Sequence, residues 1–273
     1  MRSLVLGLLC ALLAAPAAHA GRCGDDVGGH SVPCDCGDLL FGSRTLGDDD
    51  PITTHACPGT GLLVAVPAGQ PAATLRLAGH VIAGSGRGFG VQVVAGGDGG
   101  LTIAGPGAVR GFAIGIQAVN GTLARIDGVT AAENRSDGVV IAGEGFTVAG
   151  SEALHNGRDG FVLRGRRYRV ERNRALANGR HGFQLSGRAA AIGGDAGNEA
   201  AGNGHEGFRV RGEEHDLAGA VATANGGDGV RTRLRDARVT GALVDANGRR
   251  GLRASGHHFT IDGKPCSAGS ACR

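Results

Sequence analysis

Six near-copies of one motif constrain this chain more than anything else in it: Asn134-Arg-Ser-Asp-Gly-Val, Asn156-Gly-Arg-Asp-Gly-Phe, Asn178-Gly-Arg-His-Gly-Phe, Asn203-Gly-His-Glu-Gly-Phe, Asn225-Gly-Gly-Asp-Gly-Val and Asn247-Gly-Arg-Arg-Gly-Leu. The anchor asparagines are 22 residues apart, except for an interval of 25 between Asn178 and Asn203. Weaker copies precede them at Gly90-Val-Gln-Val and Gly115-Ile-Gln-Ala. A period of this size defines a solenoid, because one repeat is too small to bury its apolar side except by stacking on its neighbours.

The contents of one period decide which solenoid. After each Asn-x-x-x-Gly comes an alternating triplet, as in Phe161-Val-Leu163, Phe183-Gln-Leu185 and Phe208-Arg-Val210, with first and third residues on one face and the middle residue on the other. A second alternation follows, as in Phe146-Thr-Val148, Tyr168-Arg-Val170 and Phe259-Thr-Ile261. Nothing between them repeats at 3.6 residues, which excludes the helical repeat families. The chain is therefore expected to be all-β, a right-handed parallel β-helix, the hand following from the usual sense of parallel crossovers. Counted from about residue 61 it has roughly nine coils, a rod on the order of 45 Å long at about 4.8 Å per coil. The anchor asparagines sit where each coil turns, where Asn tolerates left-handed backbone, and their side chains are expected to bond along the rod as an internal ladder.

Composition fits this reading once the repeat is recognised. Glycine supplies 53 of 273 residues and tryptophan is absent. Such a content suits disorder as well as short strands with tight turns, and the regular triplets select the strands. Arg2, the apolar run Leu4 to Ala15 and Ala18-His19-Ala20 have the order of a cleavable secretory signal, with the cut expected after Ala20. That run is too short for a bilayer, so residues 1–20 are read as a signal peptide, and a secreted or periplasmic chain without a membrane span is expected. Removal of Arg2 lowers the formal charge from +3 to +2, a balance that implies no nucleic-acid partner. Gly84-Ser-Gly-Arg-Gly-Phe-Gly90 has the glycines of a nucleotide loop without a following helix.

Six cysteines remain after such a cleavage: Cys23, Cys34, Cys36, Cys57, Cys266 and Cys272. An even number in an exported chain points to disulfides, although six cysteines allow fifteen pairings. The single residue between Cys34 and Cys36 is not the spacing of a zinc knuckle, and the sequence offers no metal or cofactor motif. Residues 21–60 read as a disulfide-bearing cap, 61–263 as the β-helix and 264–273 as a C-terminal tail with its own disulfide.

Over residues 61–263 the repeats resemble the right-handed parallel β-helix proteins of the pectate-lyase-like superfamily, which includes pectate lyases, rhamnogalacturonases and alginate epimerases. The turn Ile192-Gly-Gly-Asp-Ala-Gly-Asn198 and the opening Cys36-Gly-Asp38 with Cys57-Pro-Gly-Thr-Gly-Leu62 are similar to segments of exported members. The resemblance implies a Cys36–Cys57 disulfide, which leaves Cys23 with Cys34 and Cys266 with Cys272 as local pairs. It also implies polysaccharide chemistry, in lyases with aspartate-held calcium and a basic residue as base. Asp137 and Asp159 match half of such a set, and no catalytic residue carries over.

Two constellations could bear chemistry. The third position after each Asn reads Asp137, Asp159, His181, Glu206, Asp228 and Arg250. Asp159, His181 and Glu206 thus fall on successive coils as candidate catalytic residues, with carboxylates expected to raise the histidine pKa. The bland alternative is a column of polar turn residues. Next, if Phe208 and Val210 point inward, Arg209 points outward, and the same register puts Arg164, Arg211, Arg231, Arg233 and Arg253 on its face. Such an array suits the carboxylates or sulfates of an anionic polysaccharide. The opposing view is a solvated face balanced by Glu213, Glu214 and Asp236. The expected function is glycan binding by a monomer, ahead of a lyase, hydrolase or epimerase and of a structural or display role.

Overall fold

The computed structural model describes residues 21–66, 72–96, 100–119, 123–194, 197–262 and 264–266. The signal segment 1–20 and the Cys266–Cys272 pairing lie outside these residues. The described chain is a parallel β-helix with three strands per coil. Sheet 1 has eleven strands, from Arg22–Cys23 through Leu62–Val66, Phe161–Arg166, Phe183–Arg188, Phe208–Glu213 and Val230–Arg235 to Leu252–His257. Nine of them, from Leu62–Val66 onward, give the expected nine coils. Sheet 2 also has eleven strands, from Arg44–Thr45 to Phe259–Ile261, where Lys264–Cys266 turns back antiparallel. Sheet 3 has eight, from Val81–Ala83 to Leu243–Asp245.

Sheet 3 is the element that the two expected alternations per coil leave out. Its strands are three residues long and point one small residue inward, as at Ala131, Ala153, Ala175, Ala200 and Ala222, all buried. A single alanine between polar flanks carries almost no hydrophobic signal. The small inward side chain has a purpose in packing, since it leaves room for the aromatic column of sheet 1. There Val139, Phe161, Phe183, Phe208 and Val230 pair in register. The rings of Phe161, Phe183 and Phe208 stack with centroids 4.9 and 4.7 Å apart, the spacing of the coils themselves. Leu163, Leu185 and Val210 form the neighbouring column.

The corner from sheet 3 back to sheet 1 is held by the expected ladder. Each anchor donates from Nδ2 to Oδ1 of the next, Asn134 to Asn156, Asn156 to Asn178, Asn178 to Asn203, Asn203 to Asn225 and Asn225 to Asn247, at 2.8–2.9 Å. The same Oδ1 also accepts the backbone N–H of the preceding anchor, and the second Nδ2 hydrogen of Asn178 goes to the Ala153 carbonyl. One expectation is corrected here. The left-handed residue is the one before each anchor, Glu133, His155, Ala177, Gly202, Ala224 or Ala246, with φ of 50–65°, and not the asparagine. A second ladder, Ser151, Asn173 and Asn198, secures the corner between sheets 2 and 3.

At the N-terminal end the cap residues already add strands to sheets 1 and 2. Disulfides join Cys23 to Cys34 and Cys36 to Cys57. Beneath them the buried Arg44 contacts the fully buried Asp50 at 2.9 Å, while Asp50 accepts the backbone N–H groups of Cys34 and Gly47. Breaking a buried pair of this kind costs about 3–5 kcal/mol, because the partner is left charged and unsolvated.

Phe183 has a stacked ring on each side, and its loss leaves a void that neither neighbour can fill. Phe183→Ala is expected to lower unfolding free energy in urea by about 3–5 kcal/mol. A midpoint equal to that of the parent would show that the aromatic column is not the core.

Candidate functional site

The third-position column follows its coils as expected, yet its members do different things. Asp137 Oδ1 accepts the Asp159 N–H at 3.0 Å, Asp159 Oδ1 accepts the His181 N–H at 3.0 Å, and Asp228 Oδ1 accepts the Arg250 N–H at 3.2 Å. These buried aspartates close the turn of the next coil. Calcium needs six to eight oxygen ligands. Carboxylates already held by backbone donors, with Arg180 Nε 3.9 Å from Asp159 Oδ1, do not fit that demand.

His181 and Glu206 break the pattern, because their side chains meet each other instead of the backbone. His181 is 1% exposed, and its Nδ1 lies 2.9 Å from Glu206 Oε2, off the line of a hydrogen bond. Its Nε2 is 3.1 Å from Arg209 Nη1, so the guanidinium donates to an unprotonated nitrogen. Glu206 Oε1 accepts from Arg231 Nη1 at 3.1 Å. The result is a chain of alternating partners, Arg231, Glu206, His181 and Arg209, leading from the turn to the outer face of sheet 1.

The expected raised pKa of His181 is corrected. Burial pushes the imidazole below its ordinary value and outweighs the attraction of Asp159 and Glu206, with Arg209 and Arg180 adding repulsion. Burial alone would raise the Glu206 carboxyl, but the hydrogen bond from Arg231 and the nearby positive charge hold it low. Arg209 is itself lowered by burial and by Arg211, Arg231 and Arg180, against the pull of Glu206.

The arginines form two adjacent columns on the outer face of sheet 1. One contains Gln184, Arg209, Arg231 and Arg253, the other Arg164, Ser186, Arg211, Arg233 and Ser255. Five of them, Arg209, Arg211, Arg231, Arg233 and Arg253, line an open groove of about 720 Å³ with Arg235, Glu213 and His257 at one edge. Arg164 lies beyond, in an adjoining hollow with Gln184 and Ser186. Among the described residues the six arginines of these two columns make a single ion pair, Arg231 with Glu206. Of the balancing acids expected from sequence, Glu213 pairs with Arg235 at the groove edge, Glu214 pairs with Arg188, and Asp236 with His258.

Two further side chains escaped the sequence reading. His215 lies buried beneath this face, where Nδ1 accepts the Ala190 N–H and Nε2 donates to the Arg211 carbonyl, both at 3.1 Å. His205 sits beside Glu206 on the outside of the turn, its ring edge-on to His181 at 5.5 Å. Only the coil-to-coil register brings it to His181.

Searches among protein-family models and among curated proteins give no match. Solved structures give similar folds. The A-module of Azotobacter vinelandii mannuronan C-5 epimerase AlgE4 is 17% identical over 83% of this chain and 80% of its own, with a TM-score of 0.48. Pectate lyase Pel9A is 17% identical over 90% and 76%, with a TM-score of 0.42. The Dettilon tailspike protein is 13% identical over 82% and 60%, with a TM-score of 0.46. At such values none of the three speaks to this chain's chemistry. Its own topology makes it a three-sheet parallel β-helix, and its outer face adds an arginine groove. No helix among the described residues is long and apolar enough to cross a membrane.

Burial lowers the pKa of both His181 and His215. A folded state that refuses protons which the unfolded chain accepts near pH 6.5 is fully stable above that value and loses stability as pH falls below it. Urea unfolding is therefore expected to show a weaker protein at pH 5.5 than at pH 8, with both imidazoles titrating by NMR below the ordinary histidine value. Equal stability at the two pH values would contradict their burial in the neutral form.

Proposed function

We propose that this protein binds an anionic polysaccharide in the arginine groove of sheet 1. The observation that carries the reading is the near absence of counter-charge. Like charges opposite one another on adjacent strands destabilise a sheet. Here Arg209, Arg231 and Arg253 are directly opposite across three coils, and Arg211 faces Arg233. Spacing of about 4.8 Å between coils leaves each guanidinium within the field of the next. A ligand carrying carboxylates or sulfates at repeated intervals relieves that repulsion, and planar guanidinium forks bind such groups by paired hydrogen bonds. The groove lining has no Phe, Tyr or Trp, the stacking platforms on which single-stranded nucleic acids rest, so a sugar polyanion fits better.

The second reading is turnover of the same ligand. It is favoured by one contact: the neutral Nε2 of His181 faces Arg209 at the groove edge while Glu206 stands behind Nδ1. A ligand carboxylate that draws Arg209 away would expose the unprotonated Nε2 of a neutral imidazole, as a general base requires. Asp159, spent on the His181 N–H, would position that histidine from behind.

Replacement of Arg209, Arg231 and Arg233 together by Gln is expected to abolish retention on immobilised polyuronate or sulfated glycan at low salt, with the melting transition kept. Binding by the parent should weaken as salt rises, since exposed charges are screened over about 8 Å at physiological ionic strength. Retention of the triple variant equal to that of the parent, or no retention of the parent at low salt, would exclude the groove. In parallel, a His181→Gln variant should keep the ligand, and loss of unsaturated or epimerised product would identify turnover.

A further inference from the structure

We infer that His181, His205 and Glu206 form a binding site for one divalent transition-metal ion, with zinc as the reference case. The inference does not depend on what the arginine groove holds. Two imidazoles and one carboxylate are a donor set that zinc accepts, with metal–nitrogen and metal–oxygen distances of about 2.0–2.2 Å and a fourth position left open. The ligand atoms of the three residues all lie within 4.8 Å of one another.

Three features of the fold set this cluster apart from a chance meeting of polar side chains. His181 Nδ1 is buried without a hydrogen-bond partner, although Glu206 Oε2 is only 2.9 Å away. Two ligands of one tetrahedral zinc are separated by about 3.3 Å at those bond lengths. An ion entering between them therefore requires a movement of a few tenths of an ångström, and it gives the orphaned nitrogen its partner. Next, Arg231 already donates to Glu206 Oε1 and leaves Oε2 free, which is the way outer hydrogen bonds orient a ligating carboxylate.

The third feature is access. On the outside of this turn the column of second-position residues reads Arg158, Arg180, His205, Gly227 and Arg249, each bonded through its backbone to the one before. Gly227 is the single gap in that row, and a Cβ there would stand 2.9 Å from both the Glu206 nitrogen and the His205 carbonyl carbon. Beside it lies a hollow of about 150 Å³ lined by Gly204, His205, Glu206, Gly226, Gly227 and Arg249. His205 is exposed at its edge. Positive charge from Arg209 works against the ion. When Nδ1 binds metal, Nε2 must carry the proton and no longer accepts from Arg209, which then turns out into the groove. Metal binding and use of Nε2 as a base are accordingly exclusive states of His181.

The test uses the full chain after chelator treatment and removal of the chelator. Calorimetric titration with zinc chloride, repeated with nickel, should give one equivalent bound, with affinity reduced at least tenfold in His205→Ala and in Glu206→Gln. Nitrogen-resolved NMR of the zinc-loaded protein should show His181 ligated through Nδ1. His205→Ala removes only an exposed side chain, so it remains informative even if Glu206→Gln folds poorly. Absence of stoichiometric binding by either ion, or parental affinity in His205→Ala, would overturn the site. Groove binding of polyanions measured on the same samples reports separately on the proposed function.

Discussion

Everything in this rod depends on the satisfaction of polar groups at its corners. Strands within the sheets pair with their neighbours automatically, but a chain that turns every few residues leaves buried donors and acceptors that water cannot reach. A buried polar group without a partner costs on the order of 1–3 kcal/mol. The asparagine ladder removes that cost once per coil. Each side chain accepts two N–H groups of the preceding anchor and donates to the next coil, so every rung satisfies its neighbours with the same geometry. The second ladder at Ser151, Asn173 and Asn198 performs the same service at another corner. With the corners closed, the aromatic column can stack at the coil spacing and the outer face of sheet 1 can carry charge.

The contrast between core and face explains why charge accumulates where it does. Inward positions of sheet 1 are fixed by packing, since Phe161, Phe183 and Phe208 fill the space that the alanines of sheet 3 leave. Outward positions answer to no such constraint. Arg209, Arg231 and Arg253 therefore persist in direct opposition without harm to the core. The columns also bring the turn chemistry to the groove edge, because Arg209 follows Glu206 by only three residues and reaches back to His181 on the coil before.

The sequence was legible where a period repeats and opaque where burial decides. Anchor asparagines, aromatic triplets and the outward arginines follow from counting by 22 and by two. Sheet 3 was hidden by its lone inward alanines. The direction of the His181 shift could not be read, because two carboxylates nearby in register say nothing of how deeply the ring is buried. His205 was hidden for another reason: its relation to His181 spans 24 residues of chain and exists only through coil stacking. The missing side chain at Gly227 was visible as a break in a row of basic residues, and that break was the available signal. Asp50 beneath the cap had no periodic neighbour to announce it.

The interval of 25 residues between Asn178 and Asn203 shows where this architecture absorbs length. The three extra residues fall in sequence between the strands Ala191–Gly193 and Glu199–Ala201, while Ile192 still pairs with Leu217 and Glu199 with Val221. Both ladders pass the insertion without a missed rung. That corner joins sheets 2 and 3, whereas the arginine groove lies on sheet 1. The rod therefore has a port for foreign sequence, a place where a label, loop or fused peptide can be spliced in while the working face keeps its register.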